Sequence, residues 1–396
     1  MPGASALQVT LVFDKTDTEG VAKVAKQIAD SLPAIGREVG HRVAPVKLLD
    51  GREPPVICDI CIHIHVPYAV WFPWAKTNVI VVNPTTWNHK AWSGYLDSFD
   101  VAKFDDEDAR DMFIAFGGTQ ARSHVLLLGD MLKECADTSR EPLPKHMPPL
   151  LNPQDCPPIS VITLVYNRPK FIENACLNLL SSDYPREKIE WVVVDDSDPD
   201  KSPSDRVLQF AEKFAPGVVT YIPLVRKRSI GYKRNLAIER AKHNVLVMMD
   251  DDDHYPSTSF RRRVAYLLKG RQQFDCAACT TIAMYDLRNG TSAVNVPPYT
   301  LPLSQRVSEA SMVFTRDFWN RRKFEDVSMA EGESFLSGRE GQVVEMPPQQ
   351  MIVALNHGQN VSSRAMPDAK PSCFWGFPRP LLEFLHGLIG IKVEAA

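Results

Sequence analysis

Residues 245–253 read Val-Leu-Val-Met-Met-Asp-Asp-Asp-Asp, a five-residue apolar run with four consecutive carboxylates directly behind it. A run this short and Val-rich suits a strand buried on both faces. The acids then fall at its C-terminal end, where open α/β sheets bind ligands. Adjacent like charges repel, so a chain that folds with four of them side by side needs something positive among them. A divalent cation is the natural candidate. Hard carboxylate oxygens suit Mg2+ or Mn2+, ions commonly held by one or two carboxylates together with the phosphates of a substrate.

A second strand-like run, Ile189-Glu190-Trp191-Val192-Val193-Val194, ends the same way in Asp195-Asp196-Ser197-Asp198. Before it, Ile159 to Val165 reads as a buried strand that turns at Tyr166-Asn167-Arg168-Pro169. The stripe Phe171/Ile172, Ala175/Cys176, Leu179/Leu180 then predicts a helix lying on a sheet. Strands alternating with helices, two of the strands ending in acid, follow the order of a doubly wound nucleotide-binding sheet.

A chain of 396 residues predicts two domains. Pro142, Pro144, Pro148, Pro149, Pro153, Pro157 and Pro158 exclude helix interiors and central strands, so residues 141–157 read as a linker. Residues 1–140 open with a strand (Gln8 to Phe13) and a helix pattern (Val21, Val24, Ala25, Ile28, Leu32). Apolar runs at Ile57 to Ile64 and Val79 to Val82 follow, predicting a smaller Rossmann-like α/β domain. His63, His65, Trp71, Trp74 and Trp87 offer a sugar-stacking surface there, with core aromatics as the favoured reading. Residues 158–365 form the larger sheet domain. Residues 366–396 carry Leu381, Leu382, Phe384, Leu385, Leu388 and Ile389, a helical tail whose polar face has few basic residues; packing on the protein is expected over a membrane surface.

A net charge of -3 lacks the basic excess of a nucleic-acid binder. The eight cysteines are sparse and mostly sit in apolar segments, as reduced core residues do. The Cys58/Cys61 and Cys276/Cys279 spacings lie inside strand-like runs and not in the turns of zinc knuckles. The first residues lack a signal-peptide pattern and no stretch of about 18 apolar residues exists, so a cytoplasmic location is expected.

Four motifs stand in order: Tyr166-Asn167-Arg168-Pro169 after a strand, Val193-Val194-Asp195-Asp196-Ser197, Gly231-Tyr232-Lys233-Arg234-Asn235-Leu236-Ala237, and Met249-Asp250-Asp251-Asp252-Asp253. Together they resemble family 2 glycosyltransferases of the GT-A fold over about residues 157–365. The resemblance implies a metal-dependent, inverting hexosyltransferase that moves a sugar from a nucleoside-diphosphate sugar, UDP-sugar favoured, to a glycan or other glycoconjugate acceptor. It also implies that Asp195 and Asp196 hold base and ribose, that Tyr166, Asn167 and Arg168 line the same pocket, and that Lys233, Arg234 and Asn235 meet the diphosphate or base. A solvated turn for the acids and a solvated basic helix face for Lys233 to Asn235 are the structural alternatives.

Asp250-x-Asp252 matches the family's Asp-x-Asp motif. Strand alternation would point 250 and 252 to one face, making Asp252 the metal ligand and Asp250 a ribose or metal-water partner; a one-residue shift selects Asp251 and Asp253 instead. Downstream, Ala330-Glu331-Gly332-Glu333-Ser334-Phe335-Leu336 with Arg339 resembles the family's Glu-Asp motif. The resemblance implies Glu333 as general base with Glu331 as the alternative, because Gly332-Glu333 stands where the family has Glu-Asp. GT-A enzymes often bring a C-terminal histidine to the metal, and the resemblance implies His357 in that place, with a structural histidine as the alternative; Arg364 could then reach the diphosphate. The segment Val79 to Trp87, followed by Tyr95 to Asp100, faintly resembles the N-terminal half of GT-B glycosyltransferases but lacks a glycine-rich phosphate loop. Two rival functions stand beside sugar transfer: a nucleotidyltransferase, which would want a glycine-rich loop after the strand ending at Val165, and a non-catalytic nucleotide- or glycan-binding module.

Overall fold

The computed structural model describes all residues except 1–5, 18–19, 54, 84–86, 88–90, 116–122, 137–147, 270–273, 349, 359, 361–376 and 394–396. The chain divides into two compact units, Met1–Met147 and Pro148–Ala396. The first contains strands β1 (Val9–Phe13), β2 (Lys47–Asp50), β3 (Cys58–Ile64), β4 (Ala75–Val81), β5 (Val101–Phe104) and β6 (Ser123–Val125), with helices α1 (Val21–Glu38), α2 (Glu107–Ala115) and α3 (Leu128–Ala136). The sheet order is β2-β1-β3-β4-β5-β6 and every pairing is parallel. A parallel sheet needs cover on its faces. Ala25, Ile28, Ala29 and Leu32 of α1 and Met131, Leu132 and Cys135 of α3 supply it, packing on β1, β3 and β4.

The aromatic candidates of this unit are largely core. His63, Trp71 and Trp87 are buried. The His63 ring faces Asn78 Oδ1 at 3.2 Å through Nε2 and accepts from the Tyr68 N–H at 3.2 Å through Nδ1. His65 and Trp74 are half-buried.

The second unit runs β7 (Ile159–Val165), α4 (Ile172–Ser181), β8 (Ile189–Asp195), α5 (Ser204–Phe214), β9 (Val218–Pro223), α6 (Ile230–Arg240), β10 (Val245–Met248), α7 (Ser259–Leu268) and β11 (Cys276–Cys279). It continues through β12 (Ile282–Asp286), β13 (Thr291–Asn295), α8 (Leu303–Arg306), β14 (Val313–Thr315), α9 (Arg316–Arg321), α10 (Glu331–Leu336), β15 (Val343–Met346), β16 (Val353–Asn356) and α11 (Arg379–Leu388). Its main sheet has the order β15-β11-β14-β10-β7-β8-β9. The strands β10, β7, β8 and β9 are parallel, and β14 runs antiparallel between β10 and β11. The chain winds outward from β7 to β8 and β9, then returns to lay β10 on the other side of β7. That reversal is the topological switch point at which open sheets bind ligands.

Two expectations are corrected here. From Pro148 onward the proline-rich stretch is no free spacer: Leu151 and Cys156 are buried in the core of the second unit. Proline forbids ladder and helix bonds but not the burial of neighbouring apolar side chains. The aspartate tetrad also lies outside the strand, since β10 ends at Met248 and residues 251–253 form a turn. Alternation therefore does not decide which carboxylates share a face. The seven described cysteines are buried. Among the described residues, no helix is long and apolar enough to cross a membrane.

A smaller sheet, β13-β12-β16, carries α11. Leu385 and Leu388 pack there with Phe171, Ala283, Tyr285, Leu287, Val353 and Leu355. Tyr285 Oη and His386 Nε2 are 3.0 Å apart. Burial lowers the His386 pKa, so protonation favours the unfolded chain. Stability contributed by this residue is fully present above its unfolded pKa of about 6.5 and is lost as pH falls through the lower folded value. Between pH 7.5 and 5.5 the thermal midpoint of His386→Phe is expected to fall less than that of the parent chain, as read by scanning calorimetry; equal falls would reject this role.

Candidate active site

The carboxyl ends of β7, β8 and β10 come together through hydrogen bonds between their following turns. Asn167 takes a left-handed conformation (φ 53°), which asparagine tolerates better than most residues. Its amide Nδ2 donates to Asp198 Oδ2 at 2.9 Å, its Oδ1 accepts from the Asp198 N–H at 2.9 Å, and its own N–H donates to Ser197 Oγ at 2.8 Å. Asn167 thus ties the turn after β7 to the turn after β8. The same turn aims Arg168 at the tetrad.

Arg168 Nη2 meets Asp251 Oδ1 at 2.6 Å and Nη1 meets Asp252 Oδ2. A guanidinium therefore supplies positive charge among the four acids. The backbone of the turn is held from α4: Asn174 Nδ2 donates to the carbonyls of Asp251 and Asp253 at 2.9 and 2.7 Å, and Asn178 Nδ2 to that of Asp253 at 2.8 Å. The Asp250 N–H donates to Tyr255 Oη at 2.9 Å. The four carboxylates have different surroundings. Asp250 is partly exposed and Asp251 fully buried. Burial pushes the Asp251 carboxyl up to about 8 despite Arg168. Burial also disfavours the charged form of Asp252, but the Arg168 charge and the His357 contact outweigh it and hold its pKa below the ordinary value. Asp253 accepts the Leu355 N–H at 3.1 Å through Oδ1, and burial raises it well above the usual range. Asp253 thus braces β16, at odds with the expectation that it serves as a metal ligand.

β16 delivers His357, whose Nε2 lies 3.0 Å from Asp252 Oδ2 and whose ring packs on Phe171 with centroids 4.5 Å apart. Among the described residues no group of three or more His, Cys, Asp or Glu side chains is arranged to hold a metal ion. Asp252 and His357 are the protein donors that do meet. Arg364 lies outside the described residues.

On the β8 side, Asp196 Oδ1 accepts from Lys233 Nζ at 2.6 Å and Oδ2 from the Arg228 N–H at 2.8 Å. Burial lowers the Lys233 pKa, with Asp196 pulling the other way. Tyr166 is half-buried, with Lys227 Nζ 4.1 Å and Lys233 Nζ 5.9 Å from its ring centroid. Asp195 serves its own turn: it accepts from the Ser197 N–H at 2.9 Å, Ser202 Oγ at 2.7 Å and Tyr221 Oη at 2.6 Å. The acceptor capacity expected to meet a nucleotide there is largely used within the protein.

Asn235 is likewise displaced from the expected pocket. Its Nδ2 donates to the Phe324 carbonyl at 2.8 Å, while Oδ1 accepts from Trp319 Nε1 at 2.9 Å and the Phe324 N–H at 3.1 Å. Successive helix residues are about 100° apart, so three in a row cannot all face one ligand. Arg234, between them, pairs with Glu331 at 2.9 Å in a buried contact. Glu333 is half-buried and accepts from Gln305 Nε2 at 2.7 Å. Gln305, Asn174 and Asn178 carry no motif. The two asparagines sit four residues apart on the buried stripe of α4, and that polar pair in an apolar face was the available signal.

Residues 160–327 match the model of the family described as Glycosyl transferase family 2. The poly(ribitol-phosphate) beta-N-acetylglucosaminyltransferase TarS of Staphylococcus aureus strain Mu50 is 28% identical over 110 residues, which cover 27% of this chain and 18% of that protein. The chain therefore spans less than a fifth of the curated relative it matches. Among solved structures, the mannosyltransferase PcManGT of Pyrobaculum calidifontis in complex with GDP-Man and Mn2+ is similar with a TM-score of 0.41 and 21% identity, over 51% of this chain and 58% of that one. S. aureus TarS 1-349 in complex with UDP-GlcNAc is similar with a TM-score of 0.39 and 20% identity, over 52% of this chain and 61% of that one.

The hydrogen bonds of Asn235 generate a discriminating prediction. Asn235→Ala is expected to cost about 1–3 kcal/mol in urea unfolding, because it strands a buried indole N–H and a backbone pair. Nucleotide affinity measured on the folded variant should stay near that of the parent; a loss as large as that of Lys233→Ala would return Asn235 to the binding pocket.

Proposed function

We propose, from the premise that residues 160–327 form a glycosyl transferase family 2 domain, that the chain moves a sugar from a nucleoside-diphosphate sugar to a hydroxyl of a glycan or glycoconjugate acceptor. The observation that carries this reading is the Arg168 bridge, which joins the end of β7 to the acidic turn after β10 across 83 residues of sequence, at the switch point of the sheet. Asp196, Lys233 and Tyr166 line the neighbouring strand end. Their mixture of acceptor, ammonium and ring suits ribose hydroxyls, phosphate and base in turn.

Asp252 and His357 would hold Mn2+ or Mg2+. The fit is that of an ion completed by its substrate: one carboxylate and one imidazole meet at 3.0 Å, and phosphate oxygens are the usual remaining ligands. When bound, the ion neutralises charge on the leaving diphosphate. Lys233 and Arg168 bring fixed positive charge to the same group. Glu333 takes the acceptor proton, and Gln305 orients its carboxylate. Glu331 is the weaker candidate because Arg234 already occupies it in a buried pair. Attack from the face opposite the diphosphate inverts the anomeric carbon.

Glu333→Gln is expected to lower kcat about 10²- to 10⁴-fold with little change in donor KM. Glu331→Gln should instead cost about 3–5 kcal/mol of stability by leaving Arg234 buried without its partner. The opposite pattern, a folded but inactive Glu331→Gln and an active Glu333→Gln, would exchange the two roles. Asp252→Ala should abolish transfer and Mn2+-dependent binding of UDP or GDP by calorimetry. Near-normal turnover in that variant would remove the metal assignment, and release of neither UDP nor GDP from a panel of nucleotide sugars by the parent chain would reject sugar transfer.

A further inference from the structure

We infer that Arg168 is an exchangeable counter-ion of the aspartate turn: it holds Asp252 while the site is without substrate and yields that carboxylate to a divalent cation arriving with a nucleoside diphosphate. The inference rests on the proposed sugar-transfer reading for the identity of the incoming pair. Its physical basis is competition for one atom. Arg168 Nη1 and His357 Nε2 both meet Oδ2 of Asp252. A cation held by Asp252 and His357 must therefore displace or repel the guanidinium.

Three observations favour exchange over a permanent bridge. The turn has unmet bonding capacity: Asp251 is fully buried, and its Oδ2 has no hydrogen-bonding partner even with Arg168 in place. Of the basic side chains of α6, Lys233 bonds Asp196 and Arg234 bonds Glu331, not the carboxylates that Arg168 holds. A cation or donor that satisfies the buried Asp251 carboxyl at this place is thus stabilising. Arg168 is also less enclosed than its partners, with 21% of its side chain exposed against 0% for Asp251 and 10% for Asp252. It sits over the Phe171 ring at 6.0 Å, at the outer end of the turn after β7.

The consequence is an order of binding. A cation alone must compete with a guanidinium already paired to two carboxylates. A nucleoside diphosphate changes both terms, because its oxygens add ligands for the cation and offer the planar guanidinium a second bidentate partner. Metal and nucleotide then bind cooperatively, and by linkage each strengthens the other by the same factor.

Paramagnetic resonance of free Mn2+, titrated with the metal-stripped full chain, reads this directly without turnover. The parent chain is expected to bind Mn2+ at least about tenfold more tightly with UDP or GDP than without, a typical coupling. Arg168→Gln should bind Mn2+ alone at least about tenfold more tightly than the parent does, and Mn2+ alone should raise its thermal midpoint more than the parent's. Should Arg168→Gln fail to fold, Arg168→Lys decides, since a single ammonium cannot span both carboxylates as the guanidinium does and should give an intermediate affinity. If both variants bind Mn2+ alone no more tightly than the parent while nucleotide still promotes binding in all, the exchange is overturned and the sugar-transfer reading stands. If the parent binds no Mn2+ even with nucleotide, the exchange and the metal assignment both fall, and release of UDP or GDP from nucleotide sugars still decides sugar transfer.

Discussion

The ion cluster formed by Arg168 with Asp251 and Asp252 is the contact on which the edge of the second unit depends. Carboxylates removed from water cost several kcal/mol each unless paired. Here three of four consecutive aspartates are buried, at the end of a strand whose register is set by β7, Val247 pairing with Val161 and Met248 with Ile162. Pairing in this register brings the turn after β7 and the turn after β10 to the same edge. Asn167, in its left-handed conformation and locked to Asp198, holds the β7 turn so that the guanidinium reaches across. Asn174 and Asn178 hold the other side by its carbonyls. Arg168 is thus both a structural tie and a group able to respond to added charge.

Around this cluster, α6 acts as a hub. Lys233 turns to Asp196 after β8, Arg234 to Glu331 at the start of α10, and Asn235 to the backbone and indole of the segment 319–324. The helical rotation of about 100° per residue sends three neighbours to three destinations. Buried pairs of this kind are weak arguments for stability but strong constraints on geometry, because losing one partner leaves the other charge uncompensated. Gly231 belongs to the same arrangement: a Cβ there would lie 1.7 Å from the carbonyl oxygen of Glu325, so only glycine lets the helix start approach that segment.

Much of this was legible in the amino-acid order. The runs Ile159 to Val165, Ile189 to Val194 and Val245 to Met248 are strands because segments dominated by Val, Ile and Leu suit a parallel sheet buried on both faces. The amphipathic stripes of α1, α4 and α11 lie where their periodicity put them, and the aromatic residues His63, Trp71 and Trp87 are core. The orientation inside the acidic turn was not legible. A two-residue period holds only while the ladder does, and β10 stops before the first aspartate. Nor was the difference between Asp195, tied by Ser197, Ser202 and Tyr221, and Asp196, tied to Lys233, since both are aspartates after the same run.

Local pattern determined the strands, the helices and the placing of acids at strand ends, because burial and period are properties of short segments; the grouping of Arg168, Asp196, Lys233 and the tetrad as candidates came from the resemblance of four ordered motifs to a known family. Tertiary structure alone decided that a guanidinium lies among the aspartates, that Asp252 meets His357 while Asp253 braces β16, and that Glu331 is paired while Glu333 is oriented by Gln305. Each of these joins residues from different elements, 28 to 105 positions apart, and partners at such distances are chosen by sheet order and helix rotation, which no local window of sequence contains.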